Sequence, residues 1–282
     1  MPFANIEGIK IHYETMGSGP PLLMLAPGGF DASMERWRLN GVWKDLQPLD
    51  TLTRDFKLIA YDRRELGESG GRVEPLTGEL YAREAVALLD QLAIDKAFLL
   101  GGCIGCTLAL AIAAYSPERC RGLLLHWPVG GFRWMQKGLT AFNGHIIYTR
   151  QHGLAGAAER AKQTKSFWRG EPDGGPWSWP IASDPAFAQA FVHQHLERYI
   201  KIVEQSRDKL FNDTMPPGAT GEQLMAMNVP AFIMPGDDAS HSTSSAHALR
   251  ELMPQVKLSP LMPPQQNAET VGLWIRESAA AA

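Results

Sequence analysis

The hydrophobic positions in the first half of the chain form short apolar runs that alternate with segments of helical spacing. Short apolar runs bounded by turn residues are typical of buried parallel strands, and apolar residues three and four apart indicate helices packed on a sheet. Strands are predicted at 5–6, 9–13, 21–26, 57–61, 96–102 and 122–126, and helices at 80–92 and 107–115. This alternation predicts an α/β fold, a mostly parallel doubly wound sheet with helices on both faces.

The pattern changes from residue 128 to about residue 227, where aromatic, glycine and proline residues are frequent and no buried-strand run occurs. Helical patches are predicted there at 157–165 and 186–211. The strand pattern resumes at 229–234 and 256–261, with helices over 244–253 and 268–278. We therefore predict one core formed by residues 1–127 and 228–282, with a helical cap over residues 128–227.

Composition narrows the class of protein. The 282 residues carry a formal net charge of −3 and are 45% hydrophobic, which fits a globular chain and gives no reason to expect a nucleic-acid or membrane partner. Three cysteines argue against a disulfide scaffold and favour a reducing compartment. The start of the chain has no secretory signal pattern, so a cytoplasmic location is expected. The uncharged stretch 97–117 is long enough for a membrane span, but glycines interrupt it, and we interpret it as strand, turn and helix.

The motif with the strongest chemical meaning is Gly101-Gly102-Cys103-Ile104-Gly105, at a predicted strand-to-helix junction. It fits the nucleophile elbow Gly-x-Nuc-x-Gly, with cysteine where serine is usual. The turn is so tight that Gly101 and Gly105 must be small. The helix that follows presents its positive dipole end to Cys103, which favours the reactive thiolate.

At this point the chain resembles the α/β-hydrolase family. Residues 23–29 look like the family's first parallel strand and oxyanion loop, and 61–69 is similar to its Asp-x-Arg-Gly-x-Gly-x-Ser turn, with Glu65 replacing a glycine. Residues 235–241 match the acid loop, and the helical cap lies where the family carries one. The resemblance implies an oxyanion hole from the amides of Ile104 and Gly29, with Phe30 as an alternative.

The resemblance further implies an acid at Asp238, with Asp237 as the runner-up, that orients a histidine. The family places that histidine after the last strand, where residues 262–267 contain none. His241 ranks first as a substitute because its loop borders the site, followed by His126 at the end of a strand. Three histidines of the cap are further candidates: His145, His193 and His195.

These residues predict a cofactor-independent enzyme that cleaves a small ester, lactone or thioester, or transfers its acyl group, with Cys103 as nucleophile. Two alternatives stay open. One is a lyase that breaks a C–C bond on the same fold, with Glu65 or His126 moving the proton. The other is a non-catalytic protein that binds a small ligand. The expected partner is a small-molecule substrate, and a homodimer is one option for the oligomeric state.

Several other features have simpler interpretations. Cys103 and Cys106 form a C-x-x-C pattern found in dithiol oxidoreductases, but Cys106 is expected to turn into the helix. No second ligand pair accompanies these cysteines, so no metal site is predicted. The tryptophans of the cap either fill its interior or line an apolar substrate pocket (Trp134, Trp168, Trp177 and Trp179).

Overall fold

The strands of the protein form one eight-stranded sheet in the order β1-β2-β4-β3-β5-β6-β7-β8. The structure is a computed structural model that describes residues 2–168 and 172–282. The strands are β1 (Phe3–Ile6), β2 (Ile9–Met16), β3 (Pro21–Leu25), β4 (Lys57–Tyr61), β5 (Ala97–Gly102), β6 (Cys120–His126), β7 (Ala231–Met234) and β8 (Val256–Leu258).

The first two strand pairs, β1 with β2 and β2 with β4, are antiparallel, and all later neighbours are parallel. The apolar runs of β5 and β7 are buried along their whole length, as strands covered on both faces must be. The register pairs Gly102 with His126 and His126 with Met234. The carboxyl ends of β5, β6 and β7 therefore meet at one edge of the sheet. The predicted α/β fold class is confirmed.

The helices lie on the two faces of the sheet and in the segment between β6 and β7. They are α1 (Arg36–Leu39), α2 (Gly41–Leu46), α3 (Pro48–Thr51), α4 (Gly78–Gln91), α5 (Gly105–Tyr115), α6 (Phe132–Thr164), α7 (Ser178–Ser183), α8 (Pro185–Val192), α9 (Leu196–Leu210), α10 (Gly221–Ala226), α11 (Thr243–Leu252) and α12 (Ala268–Ala281). The uncharged stretch of the sequence is the buried pair β5 and α5. Within the described ranges, no helix is long and apolar enough to cross a membrane.

The segment 128–227, called the helical insertion below, departs from the predicted helix boundaries. The patch predicted at 157–165 is the end of α6, a helix of 33 residues that is interrupted at Gly153, where φ is +67°. Several glycines in α6 weaken its helical propensity, so the sequence pattern does not predict the full length of the helix. The helix predicted at 186–211 is instead two, α8 and α9. The short helices between 36 and 51 were not predicted, because four to six residues show little periodicity.

Aromatic side chains fasten the helical insertion to the loop after β3. The Phe30 ring, on that loop, lies 5.2 to 6.2 Å by centroids from four rings of the insertion, those of Phe142, Phe167, Trp168 and Phe211. The indole N–H of Trp177 donates to the carbonyl of Arg72 at 2.9 Å. The insertion therefore covers the carboxyl edge of the sheet, where the candidate site residues lie.

Candidate active site

Cys103 occupies a strained turn between β5 and α5. Its φ is +54°, a left-handed conformation that costs energy for a residue with a Cβ and is common at functional sites. A Cβ at Gly101 would lie 2.6 Å from the Cys106 amide nitrogen, and one at Gly105 would overlap the Leu25 carbonyl. The elbow glycines are thus required by close backbone contact. The Cys103 amide donates to the His126 carbonyl at 3.0 Å, which fixes the turn to β6.

Cys103 opens onto a cavity of about 260 Å³ between the sheet edge and the helical insertion. The walls combine four tryptophans with a few polar groups. The lining residues are Pro27, Gly28, Gly29, Asn40, Gly41, Val42, Trp43, Cys103, His126, Trp127, Trp134, Lys137, Trp168, Ser240 and His241. A mostly apolar pocket with few convergent polar groups is typical of small-molecule sites.

The acid loop after β7 brings His241 into this cavity. Nδ1 of His241 lies 2.8 Å from both carboxylate oxygens of Asp238. Oδ1 of Asp238 also accepts from the amides of Ser240 at 2.7 Å and His241 at 3.0 Å, an Asx turn that folds the loop back on itself. A bridge between His241 and Gly130 ties the loop to the start of the helical insertion. Asp237 is exposed, and Asp238 carries the bond to the histidine.

The second ring nitrogen of His241, Nε2, is available to the Cys103 thiol. Nε2 is buried and no partner in the described chain meets strict hydrogen-bond geometry with it. The two groups nevertheless act on each other: His241 lowers the pKa of Cys103, and Cys103 raises the pKa of His241. Loosely aligned contacts of this kind are usual between a nucleophile and its base when no substrate is bound.

The electrostatics of this group favour a thiolate beside an imidazolium. Burial by itself raises the pKa of the Cys103 thiol, but the hydrogen bond and charge of His241 bring it below the usual value. Burial by itself lowers the pKa of His241, yet Cys103 and Asp238 raise it to about 9. Burial likewise raises the pKa of Asp238, and the bond with His241 reverses the shift and holds it below the usual value.

Two backbone amides add to the stabilisation of the sulfur. The N–H groups of Gly28 and Ile104 hydrogen-bond Cys103 and further lower its pKa. The sequence motifs indicate Ile104 but not Gly28. The predicted partner Gly29 lines the same cavity, and at φ +66° a Cβ on it would overlap the Trp168 ring. Phe30 is buried and faces the aromatic cluster.

His126 lies in the same cavity with a different environment. It is 2% exposed, and neither ring nitrogen has a hydrogen-bond partner in the described chain. The ring packs against Trp43 at 4.4 Å and stacks on Trp127 at 5.5 Å between centroids. Burial, together with the charge of His241, lowers the pKa of His126 to about 3, so this imidazole is neutral.

Gln266 occupies the loop where the family carries its histidine. Its Nε2 donates to the carbonyls of Pro235 and Leu261, both at 2.8 Å, and its Oε1 accepts from the Trp127 indole at 2.5 Å. Gln266 therefore holds the start of the acid loop against the end of β6. No sequence motif indicates this residue, because a glutamine in a proline-rich loop carries no distinctive signal.

The remaining histidine candidates lie outside the cavity. His145 is buried within the helical insertion, bonded to the Asp173 carbonyl and the Tyr199 hydroxyl, and burial lowers its pKa to about 4. His193 and His195 are exposed and do not line the cavity.

Glu65 is buried at φ +70°, and burial raises its pKa to about 8, but it too does not line the cavity. Its position gives no support for a role as acid or base toward a substrate in that cavity.

The other cysteines point away from the thiol of Cys103. Sγ of Cys106 donates to the carbonyls of Gly101 and His126, and burial raises its pKa well above the usual value. Burial also raises the pKa of Cys120, to about 12. All three cysteines are free thiols. Across residues 2–168 and 172–282, no cluster of three His, Cys, Asp or Glu side chains could hold a metal ion.

Comparison with known proteins identifies the family that this chain matches. A family model described as alpha/beta hydrolase fold matches residues 21–169, slightly more than half of the chain. An epoxide hydrolase of Siraitia grosvenorii is 32% identical over 122 residues, which cover 43% of this chain and 36% of that protein. A 2-hydroxymuconate semialdehyde hydrolase of a Pseudomonas species is 30% identical over 139 residues, which cover 49% and 47%. The chain thus spans less than half the length of these curated relatives.

Solved structures extend the likeness over almost the whole chain. The enol-lactonase of Burkholderia xenovorans superposes with a TM-score of 0.59 and covers 99% of this chain and 98% of its own. Its sequence identity is 17%, so this likeness concerns the fold alone.

Proposed function

The chain belongs to the α/β-hydrolase family, and from that premise we propose that it is a cofactor-independent hydrolase whose nucleophile is Cys103. The substrate class is a small ester, lactone or thioester. The observation that carries the proposal is the chain of contacts from Cys103 through His241 to Asp238, in one cavity at the carboxyl edge of the sheet.

In the first half of the reaction, the Cys103 thiolate attacks the acyl carbonyl carbon and a C–S bond forms. The negative charge that develops on the carbonyl oxygen is stabilised by the Ile104 amide and an amide of the Gly28–Gly29 turn. The His241 imidazolium then donates its proton to the leaving alkoxide or thiolate as the acyl bond breaks. Asp238 holds His241 in the orientation and charge state that this transfer needs.

In the second half, neutral His241 removes a proton from water, and the resulting hydroxide attacks the thioester carbonyl. The C–S bond breaks, the acid leaves, and His241 keeps the proton, which restores the thiolate–imidazolium pair. An alcohol or thiol that enters instead of water completes an acyl transfer by the same route. The thioester intermediate suits such a transfer because thioesters are reactive acyl donors.

The placement of the histidine bears on the two alternative functions. A lyase or a non-catalytic binding protein has no need for a histidine bonded to an acid and set against the elbow thiol. His241 has both partners, whereas Glu65, the proton carrier considered for a lyase, is outside the cavity. These contacts favour nucleophilic catalysis over both alternatives.

The test is detection of the acyl-enzyme. We expect incubation with 4-nitrophenyl acetate and an acid quench to leave an acetyl group on Cys103, identified by peptide mass spectrometry. Cys103 and Cys106 fall in one tryptic peptide, residues 97–119, so fragment ions must locate the group. The matched control is Cys106→Ala, which retains the adduct, whereas Cys103→Ala loses it. Turnover of the ester with no adduct on Cys103 at any time point would contradict the proposal.

A further inference from the structure

His126 is a second histidine in the cavity, and the mechanism described above does not use it. Its side chain lines the cavity together with Cys103 and His241. The residue is 2% exposed, and neither ring nitrogen has a partner of strict hydrogen-bond geometry in the described chain. Buried polar atoms normally have a partner, so an unpaired imidazole at a cavity wall indicates a polar group that a ligand supplies.

A loose contact with Gln266 determines which polar group the imidazole lacks. Both amide hydrogens of Gln266 are taken, by the carbonyls of Pro235 and Leu261 at 2.8 Å. Towards His126 the glutamine side chain can therefore only accept, through Oε1. Burial and the charge of His241 lower the pKa of His126, and the Gln266 contact acts in the opposite direction, as an acceptor of a ring N–H does. The nitrogen in contact with Gln266 thus carries the hydrogen.

The other ring nitrogen of His126 is consequently a bare acceptor. A neutral imidazole has one donor nitrogen and one acceptor nitrogen, and His126 is neutral because burial, and then the charge of His241, lower its pKa to about 3. Trp127, which stacks on the ring, gives its indole N–H to Gln266 instead. The missing partner of His126 is therefore a hydrogen-bond donor.

His126 lies beside the histidine that serves the leaving group. Its backbone carbonyl accepts from the Cys103 amide at 3.0 Å, so His126 adjoins the elbow. The rings of His126 and His241 lie 5.5 and 5.4 Å from the same Trp127 ring between centroids. In the proposed reaction His241 donates its proton to the leaving group, so a group that meets His126 belongs to that half of the substrate.

We propose that His126 is a specificity-determining residue that accepts a hydrogen bond from the leaving group, so that the alcohol or thiol released carries a further donor, a hydroxyl or an amide N–H. This inference rests on the proposed function, because it takes His241 as the acid that protonates the leaving group. A substrate without the donor leaves the buried acceptor unpaired, and the site discriminates against it. Trp43 and Trp127 contribute apolar contacts to the same half of the substrate.

The kinetic test compares esters that differ only in the donor. One pair is 4-(hydroxymethyl)phenyl acetate and its methyl ether, tested also as the 3-isomers, and it probes a hydroxyl. The other pair is 4-(acetamidomethyl)phenyl acetate and its N-methyl derivative, and it probes an amide N–H. We expect kcat/KM to be about tenfold higher for the member with the donor in at least one pair, as the cost of an unpaired buried acceptor allows. Equal kcat/KM within both pairs would overturn the inference.

Substitutions at His126 show whether the preference depends on its acceptor nitrogen. His126→Phe retains a ring and removes the acceptor, so the preference is expected to disappear. His126→Gln retains an acceptor oxygen and is expected to keep part of the preference. A purely structural role would lower kcat/KM for both members of a pair equally and leave their ratio unchanged. That result in His126→Phe would overturn the inference.

The matched control is Val42→Ala, at an apolar position in the lining of the cavity. It changes the shape of the cavity without removing a polar group, so kcat/KM for both members of a pair is expected to change by the same factor. A loss of the preference in Val42→Ala as large as in His126→Phe would assign the preference to cavity shape and overturn the inference.

A binding measurement separates this inference from the proposed function. The intrinsic fluorescence of the cavity tryptophans is titrated with benzyl alcohol and with benzyl methyl ether, neither of which has an acyl group. Benzyl alcohol that binds more tightly than the ether, and loses this advantage in His126→Phe, supports the inference even if no ester is cleaved. Equal or absent binding of both compounds overturns it even if esters are cleaved.

Discussion

The acid loop after β7 and the end of β6 each place a histidine in the same cavity, and the two histidines have opposite protonation behaviour. His241 has its pKa raised to about 9, despite burial that opposes the charged form. His126 has its pKa lowered to about 3, first by burial and then by the charge of His241. Both lie against Trp127, at 5.4 and 5.5 Å between ring centroids, so their apolar surroundings are similar.

The difference lies in the hydrogen-bond partners. His241 has the Asp238 carboxylate on Nδ1 and interacts with the Cys103 thiol, whereas the groups around His126 are aromatic rings and the neutral side chain of Gln266. In a dry cavity, burial by itself makes an imidazole neutral, and only a bonded anion makes it a cation. A histidine near a nucleophile is therefore a credible acid or base when its second nitrogen is also engaged.

Removal of the thiol has the largest expected effect on this comparison. We expect Cys103→Ala to lower ester turnover by about ten-thousandfold or more, because the nucleophile is lost. The pKa of His241 falls as well, since the thiolate is one of the anions that raise it. Initial rates and NMR titration of the imidazole nitrogens check the two effects. Turnover within tenfold of the unmodified protein would remove Cys103 from the mechanism.

Matched substitutions of the two histidines test the comparison directly. We expect His241→Gln to lower kcat/KM by about a thousandfold, because the thiol then loses its proton acceptor. His126→Gln, with the same amide in place of a neutral ring, is expected to cost less than about tenfold. Steady-state kinetics on one ester measures both. A larger loss from His126→Gln would reverse the assignment of the base.

Asp238 is bonded to His241, and the loss of its charge is expected to lower activity less than the loss of His241 itself. Asp238→Asn leaves the loop geometry in place but removes the charge that stabilises the imidazolium, and a loss of about a hundredfold in kcat is expected. The control is Asp237→Asn, at the exposed neighbouring position, which leaves kcat unchanged. If the two substitutions had equal effects, the bond between Asp238 and His241 would have no catalytic role.

The pH dependence of alkylation reports the thiolate itself. The pKa of Cys103 lies below the usual thiol value, so its reaction with iodoacetamide is expected to slow at a lower pH than the reaction of a free thiol does. In His241→Gln the pKa rises, and the rate at pH 6.5 is expected to drop by about tenfold. Cys106, whose pKa burial raises, is an internal control that stays unmodified. An alkylation profile for Cys103 typical of a free thiol would contradict the ion pair.

The smallest expected effect concerns stability in acid. The pKa of His126 is about 3 in the folded chain and near 6.5 in the unfolded chain, so the unfolded state binds more protons below pH 6.5. The free energy of unfolding therefore decreases as the pH is lowered. When the pH is lowered from 7 to 5.5, we expect the free energy of unfolding of His126→Gln to fall by about 1 kcal/mol less than that of the unmodified protein. Urea unfolding at the two pH values measures this. His145 titrates in the same window in both proteins and cancels.

Much of the architecture follows from local patterns, because strands, turns and the elbow depend on neighbouring residues. The hairpin of β1 and β2, the buried runs of β4 and β5 and the tight turn at Cys103 lie where the sequence predicts them. The helical insertion is less predictable, because the glycines of α6 and the aromatic contacts of Phe30 matter only once distant segments meet. The same holds for Gly28 and Gln266, whose contacts come from other loops.

By itself, the sequence determined the α/β fold, the position of the elbow cysteine and the absence of a histidine after the last strand. It also ranked His241 ahead of His126 as the substitute, but only from the expected position of each at the same edge of the sheet. Only the tertiary structure decided which histidine meets both Asp238 and Cys103. The physical reason is that an imidazole's charge depends on anions within a few ångströms, and folding, not chain order, brings those anions together.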